Sequence, residues 1–278
     1  MARGKAEKTK LVEETLASVL RALHPQTVRQ AYYQLVSRQV VENTRSQYMA
    51  VSGILVRLRQ NGVVPWEWVE DRTRRPRTVS MWGSMKQFAR TVVRAYRKDV
   101  WQSQPRLVEV WLEKDALSGI FEEELEPYGV TLNVGRGYDG WSSIQRAAER
   151  YKEWGSAVLV LYFGDHDPSG EDMERSLRER LAYFKASPEM RRVAILPKDI
   201  EEYNLPPDFA KATDTRHDAF VAKHGDRAVE LDALPVDVLR ERIVESIMDA
   251  MDMDALDDVR VHDDETREVL RKLMETVK

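Results

Sequence analysis

The chain has 278 residues, with 43 Lys plus Arg against 47 Asp plus Glu and a formal net charge of −4. That total hides an uneven layout: residues 1–106 hold 20 basic and 8 acidic side chains, a balance of +12, whereas residues 107–278 hold 23 and 39, a balance of −16. Cysteine is absent, which excludes disulfides, thiolate metal sites and a Cys nucleophile, and no run approaches the roughly 18 apolar residues of a spanning helix.

The length and the charge break suggest two domains, 1–100 and 101–278, each able to bury a core. Met1 to Lys10 is basic with no apolar stretch behind it, so no secretory signal is predicted and a cytoplasmic, nucleoid-associated protein is expected. A basic N-terminal part of this size points to a polyanion, most simply nucleic acid.

In chain order, Leu11 to Leu23 carries the apolar stripe of an amphipathic helix. Val28, Ala31, Tyr32, Leu35 and Val36 predict a second helix, and Tyr48, Val51, Ile54, Leu55 and Leu58 a third that stops at Asn61-Gly62. Val64, Trp66 and Trp68 alternate with Pro65 and Glu67, the pattern of a short strand, before a loop crowded with Arg72, Arg74, Arg75 and Arg77. Three helices, a strand and a basic loop suggest a winged helix, with the third helix offered to a groove.

A helix is predicted over Met81 to Asp99, then a linker at Trp101 to Pro105. Strands at Leu107–Leu112, Thr131–Val134, Ala157–Phe163 and Val193–Leu196 alternate with helices at Asp115–Glu126, Ser142–Trp154 and after Pro168. This alternation predicts βαβ units around a largely parallel sheet, whose sites lie beyond the carboxyl ends of the strands. A helix spans Val236 to Met251, and the five acids of Asp249 to Asp258 read as a solvated face.

The strand Val158 to Phe163 empties into Gly164-Asp165-His166-Asp167-Pro168-Ser169-Gly170. Asp165 and Asp167, two apart in extended backbone, point to one side and suit Mg²⁺. Asp167 is equally placed to cap a helix that has Pro168 at its first position. The first strand ends in Glu113, and the three acids converge if the two strands are neighbours; Lys114 and Asp115 read as a surface charge and a helix cap. His166 points away from both aspartates in an extended segment.

A strand ending in Glu113 followed by a strand leading into Asp165-His166-Asp167-Pro168-Ser169-Gly170 resembles the topoisomerase-primase (toprim) domain. The form is nearest to that of the topoisomerase VI A subunit and the related meiotic double-strand-break transesterase. The resemblance implies a mixed α/β protein, a winged-helix domain followed by a toprim-type domain, with Mg²⁺ held by Glu113, Asp165 and Asp167. It also implies a nucleophilic tyrosine in an R-x-x-Y-Y pattern, present here as Arg29-Gln30-Ala31-Tyr32-Tyr33.

Helical geometry favours Tyr33 over Tyr32, which continues the row Val28, Tyr32, Val36 expected to be buried, while Tyr33 lies a turn from Arg29 and Ser37 on the polar side. A phenol with a pKa near 10 is a poor nucleophile, so an adjacent guanidinium makes chemical sense. The expected activity is Mg²⁺-dependent cleavage of double-stranded DNA through a 5′-phosphotyrosyl enzyme, with Arg45, Arg57, Arg59, Arg72, Arg74, Arg75 and Arg77 on the backbone. By the same resemblance the protein is expected to be a homodimer in which each Tyr33 meets the other protomer's metal site, working with a separate ATP-binding B-like subunit of GHKL type. The chain is shorter than a full A subunit and carries no ATPase region. The alternative is a hydrolytic nuclease in which the same metal site activates water and Tyr33 is a bystander.

Overall fold

A computed structural model describes residues 2–69, 79–135, 140–209 and 214–275. The protein is mixed α/β and 63% helical, with a four-stranded parallel sheet flanked by helices. Three helices come first: α1 (Ala2–Ala22), α2 (Val28–Ser37) and α3 (Arg45–Gln60). Helix α2 starts in a capping box, in which the Thr27 hydroxyl accepts the Gln30 N–H at 3.2 Å and the Gln30 amide oxygen accepts the Thr27 N–H at 2.9 Å. The turn between α2 and α3 is tied by Tyr32, whose hydroxyl donates towards the carbonyls of Glu42 and Thr44 and accepts the Thr44 N–H at 2.9 Å.

The predicted strand at Val64 to Trp68 does not form. Trp66–Trp68 is a 3-10 turn begun by Pro65, and only Val69 makes a β-bridge, with Gln26. The alternation that suggested a pleat arises because the two tryptophans have different partners: Trp68 stacks on His24 at 4.6 Å and Trp66 lies under the Arg59 guanidinium at 4.1 Å. Helix α4 (Met85–Ala95) is shorter than the predicted stretch, and a 3-10 turn at Val100–Ser103 replaces the expected linker.

From residue 106 the chain alternates: β1 (Arg106–Leu112), α5 (Ser118–Leu125), β2 (Thr131–Val134), α6 (Trp141–Trp154), β3 (Ala157–Phe163), α7 (Pro168–Tyr183) and β4 (Glu189–Ala194). The sheet order is β2-β1-β3-β4, all parallel. Strands β1 and β3 are almost wholly buried because both faces are covered, as continuous Val/Leu-rich runs anticipate. Val108, Val110, Leu159, Leu161 and Phe163 join a core with Ile120, Ile200 and Ile243, while Trp111, Val158, Val160 and Tyr162 pack with Ile144, Ala148 and Leu181 on the α6–α7 side. The first of these cores also takes in Leu16, Tyr33 and Leu55, so the N-terminal helices and the sheet share apolar contacts.

The remaining elements are α8 (Pro197–Glu202), a two-stranded ribbon of β5 (Asp208–Phe209) and β6 (Arg227–Ala228) around α9 (His217–His224), then α10 (Val236–Met248) and α11 (Met253–Glu275). Helix α11, which the apolar spacing did not announce, packs against α4. Of the acidic run, Asp249 ends α10 and Asp252 caps α11 by accepting the Ala255 N–H at 3.0 Å, while Asp254, Asp257 and Asp258 face solvent. No helix among the described residues is long and apolar enough to cross a membrane.

Candidate active site

Register puts the carboxylates together. Leu112 pairs with Phe163, and the Glu113 N–H continues the ladder to the Phe163 carbonyl at 2.9 Å, so Glu113 stands beside Gly164. The Glu113 Oε2 atom accepts the Asp165 N–H at 2.9 Å. Gly164 is required for this approach: a Cβ there would lie 2.6 Å from that same oxygen and 2.6 Å from the Tyr162 ring. The space beside Gly164 is thus filled by the chain's own Glu113. Asp167 caps α7, accepting the Gly170 N–H at 2.6 Å, and Asp165 Oδ1 accepts the Leu231 N–H at 2.7 Å.

Each carboxylate therefore spends one oxygen on a backbone N–H, and the second oxygen of each has no hydrogen-bond donor among the described residues. Burial and the neighbouring Asp165 and Asp167 charges push the Glu113 carboxyl well above its ordinary value, and burial raises Asp165 as well, against the pull of Lys114. Three carboxylates brought to neighbouring strand ends, each with an oxygen left over, make an all-oxygen donor set of the kind that a hard cation takes, so the residues fit Mg²⁺. As the side chains stand, no group of three or more His, Asp or Glu among the described residues encloses a metal position. Glu109, four residues earlier on β1, is a contrasting case: its buried carboxylate is neutralised by a bidentate Arg150 at 2.8 and 2.9 Å.

Lys114 is not a surface charge. Its ammonium sits 3.1 Å from Asp165 Oδ1, 3.0 Å from Glu230 Oε2 and 2.9 Å from Asp232 Oδ2. Burial alone would lower its pKa; Asp232, Asp165 and Glu230 outweigh that and keep it charged. Glu230 and Asp232 come from the segment before α10, which lies against the strand ends through reciprocal bonds between His166 and Val229 at 2.8 and 2.9 Å. No periodicity marked them; their only signal was two acids in a stretch otherwise apolar, Val229 to Leu234.

The same segment meets α2. Arg29 pairs with Glu230 Oε2 at 3.1 Å, which brings that carboxylate to the face of α2 that carries Tyr33 one turn on. Tyr33 is only 4% exposed, so it is not the available residue its helical position suggested. Both sides of α2 are covered, and Gln30 to Leu35 are all buried. The polar side of the helix faces a charged interior instead of water. Burial and the Glu230 charge push the Tyr33 phenol above its ordinary value, with Arg29 and Lys114 opposing them.

Three of the expected backbone-binding arginines are described, all on α3. Arg45 opens α3 and is exposed, Arg57 lies 4.0 Å from Glu13 of α1, and Arg59 is folded onto Trp66, donating to its carbonyl at 2.9 Å. Arg72, Arg74, Arg75 and Arg77 lie outside the described residues. His166 turns from both aspartates towards Phe220 and His224, with ring centres 5.2 and 4.9 Å away, and burial and His224 bring its pKa down to about 4. Arg192 was not singled out by sequence, yet its guanidinium donates at 3.1 Å to the carbonyls of Gly164 and of Asp165 and pairs with Glu174 at 2.9 Å, stapling the acidic turn.

No protein-family model matches the chain, and no curated protein is significantly similar to it.

Proposed function

We propose that the protein is a Mg²⁺-dependent DNA transesterase, with the first three helices serving as the helical part of a winged-helix domain and the parallel sheet as a toprim-type domain. The observation that carries this reading is the meeting of two groups far apart in sequence. Arg29 and Tyr33 on α2 and the strand-end carboxylates Glu113 and Asp165 border one charged cluster, bridged by Lys114 and Glu230.

In this reading Arg29, half-exposed, receives the scissile phosphate, and the Tyr33 oxygen attacks phosphorus in line with the departing 3′ oxygen. Glu113, Asp165 and Asp167 would hold Mg²⁺, which when bound supplies positive charge to the phosphoryl oxygens. Lys114 fixes Asp165 and Glu230 in place, and Arg192 holds the turn that presents both aspartates. Arg45, Arg57 and Arg59 would add contacts to the DNA backbone without reading sequence. Cutting both strands requires two copies, and strand passage a separate ATPase subunit; both partners follow from the family resemblance.

A second reading, hydrolysis at the same carboxylates with Tyr33 uninvolved, is favoured by the burial of the phenol. Tyr33→Phe separates the two. With supercoiled DNA and Mg²⁺, wild type is expected to leave DNA ends attached to protein after denaturation, and Tyr33→Phe to leave neither adduct nor cut. Cleavage by Tyr33→Phe at the wild-type rate without an adduct establishes the hydrolytic reading.

A further inference from the structure

We propose that Glu230 is the base that takes the proton from the Tyr33 hydroxyl, an inference that rests on the transesterase reading. A phenol must lose its proton to attack phosphorus, and the groups around Tyr33 offer few acceptors. Arg29 and Lys114 are cations with no lone pair to give. Asp232 pairs with Lys114 at 2.9 Å and makes no hydrogen bond or ion pair with α2 among the described residues. Glu230 is the acid that reaches α2, its Oε2 3.1 Å from Arg29, one helical turn from Tyr33, and although burial works against its charge, Lys114 and Arg29 hold it below the ordinary carboxylate range.

Its placement is fixed from the metal-side turn. The residue before it, Val229, exchanges two backbone hydrogen bonds with His166, and the residue after it, Leu231, donates to the Asp165 carboxylate at 2.7 Å. The turn that carries the candidate metal ligands therefore grips Glu230 on both flanks and aims it at α2. The charged and titratable groups facing Glu230 are Arg29 and Tyr33 from α2, Lys114 from the end of β1, Asp165 from the end of β3, and Asp232 from its own segment.

Arg29 couples substrate to base. Its side chain is 49% exposed while Tyr33 is buried, so an incoming phosphate meets Arg29 first. When the guanidinium leaves Glu230 for the phosphate, the carboxylate loses a cationic partner and becomes the stronger acceptor. The contact between hydroxyl and carboxylate then tightens, as such contacts do once substrate is bound. In the step itself the Tyr33 O–H proton passes to Glu230, the Oη–P bond forms, and the P–O3′ bond breaks with its electron pair on the 3′ oxygen. That oxygen is protonated by water, and the proton left on Glu230 returns to solvent, so the sum is tyrosine plus diester giving phosphotyrosine plus a 3′ hydroxyl.

The test uses the full chain with Mg²⁺ and supercoiled DNA and follows the rate of covalent adduct formation. Glu230→Gln, nearly isosteric, is expected to form adduct about 10²–10⁴-fold more slowly than wild type, the usual worth of a general base. Glu230→Asp should recover part of the rate. Glu230→Ala, which leaves room for a small acid, should be restored by added formate, a result that a role confined to holding the fold does not produce. Adduct formation by Glu230→Gln at the wild-type rate overturns the proposal and leaves the transesterase reading standing. Failure of formate to raise the rate in a Glu230→Ala protein that still binds DNA also overturns it. Absence of adduct in wild type removes the parent reading and this one with it.

Discussion

Replacing Lys114 by Met removes the one ammonium on which Asp165, Glu230 and Asp232 converge at 2.9 to 3.1 Å. Each such pair is worth on the order of 5 kcal/mol at an effective dielectric constant of about 20, but much of that attraction offsets the desolvation of the ions and the repulsion among three acids. What the substitution exposes is the uncompensated remainder. Lys114 and Asp232 are 16% and 1% exposed, and Asp232 Oδ1 is buried with no hydrogen-bond partner, so water relieves little of it. The expected cost is about 3–5 kcal/mol, as for breaking one side of a buried pair. At roughly 2–4 °C per kcal/mol for a chain of this size, thermal unfolding followed by circular dichroism should move down by about 6–20 °C. The triple variant Lys114→Met, Glu230→Gln, Asp232→Asn should regain most of the loss, because the cost belongs to unpaired charge and not to the missing methylenes. If Lys114→Met unfolds within about 1 kcal/mol of wild type, or if the triple variant is no more stable than the single one, the cluster is not held together as argued.

Three further outcomes are expected. Gly170→Ala places a Cβ 2.3 Å from the Asp165 carbonyl oxygen, a backbone atom that cannot swing aside, so it should cost more than about 2 kcal/mol and abolish cleavage; a stability equal to wild type by urea titration counts against the tight turn. Arg192→Met removes donors to the carbonyls of Gly164, Asp165 and Gly170, and is expected to cost about 2–4 kcal/mol and to weaken Mg²⁺ dependence more than DNA binding, measured by titrating metal in cleavage and binding assays. Tyr32→Phe removes the hydroxyl that the Thr44 N–H shares with the Glu42 carbonyl and that donates back to the turn, and should lose about 1 kcal/mol while still forming adduct, the reverse of what is expected for Tyr33→Phe; loss of adduct in Tyr32→Phe would falsify the assignment of the nucleophile.

Strands β1, β2 and β3 were legible because each is a short β-branched or Leu-rich run with helices before and after it. The acids at their ends were legible from the rule that parallel sheets carry chemistry beyond their carboxyl edges. What periodicity cannot report is what lies opposite a polar face. Tyr33 sits on the polar side of α2, and the pattern assumes water there; the structure supplies Glu230 and Lys114. Lys114 was misjudged for the same reason, since a lysine after a strand is mostly solvated unless distant acids meet it, and its partners lie 116 and 118 residues away. At Trp66 and Trp68 the alternation was real, but strand pairing requires a neighbour, and stacking on His24 and Arg59 took the side chains instead. Helix α11 was hidden by its charge, because its buried positions are few: Leu256, Val259 and Asp263.

The division of charge between the two halves bears on how DNA would be engaged. Part of the acidic surplus is spent within the molecule: Asp263 accepts the Lys98 N–H at 2.8 Å, and Glu230 holds Arg29 at 3.1 Å. Arg29 drawn to phosphate gives up part of its pairing with Glu230, and under the proposed function DNA competes with the protein's own carboxylate for that guanidinium. An ion pair as exposed as this one, 49% on the arginine side, is worth about 0–1 kcal/mol, so its loss should change affinity by no more than about fivefold. Glu230→Gln removes the competitor, so it should bind DNA up to about fivefold more tightly at low salt even as adduct formation falls. Binding and chemistry would then move in opposite directions in one variant. A residue that only maintained the fold would, on removal, weaken both, and weaker DNA binding by a folded Glu230→Gln protein would show that Arg29 and Glu230 do not compete in this way.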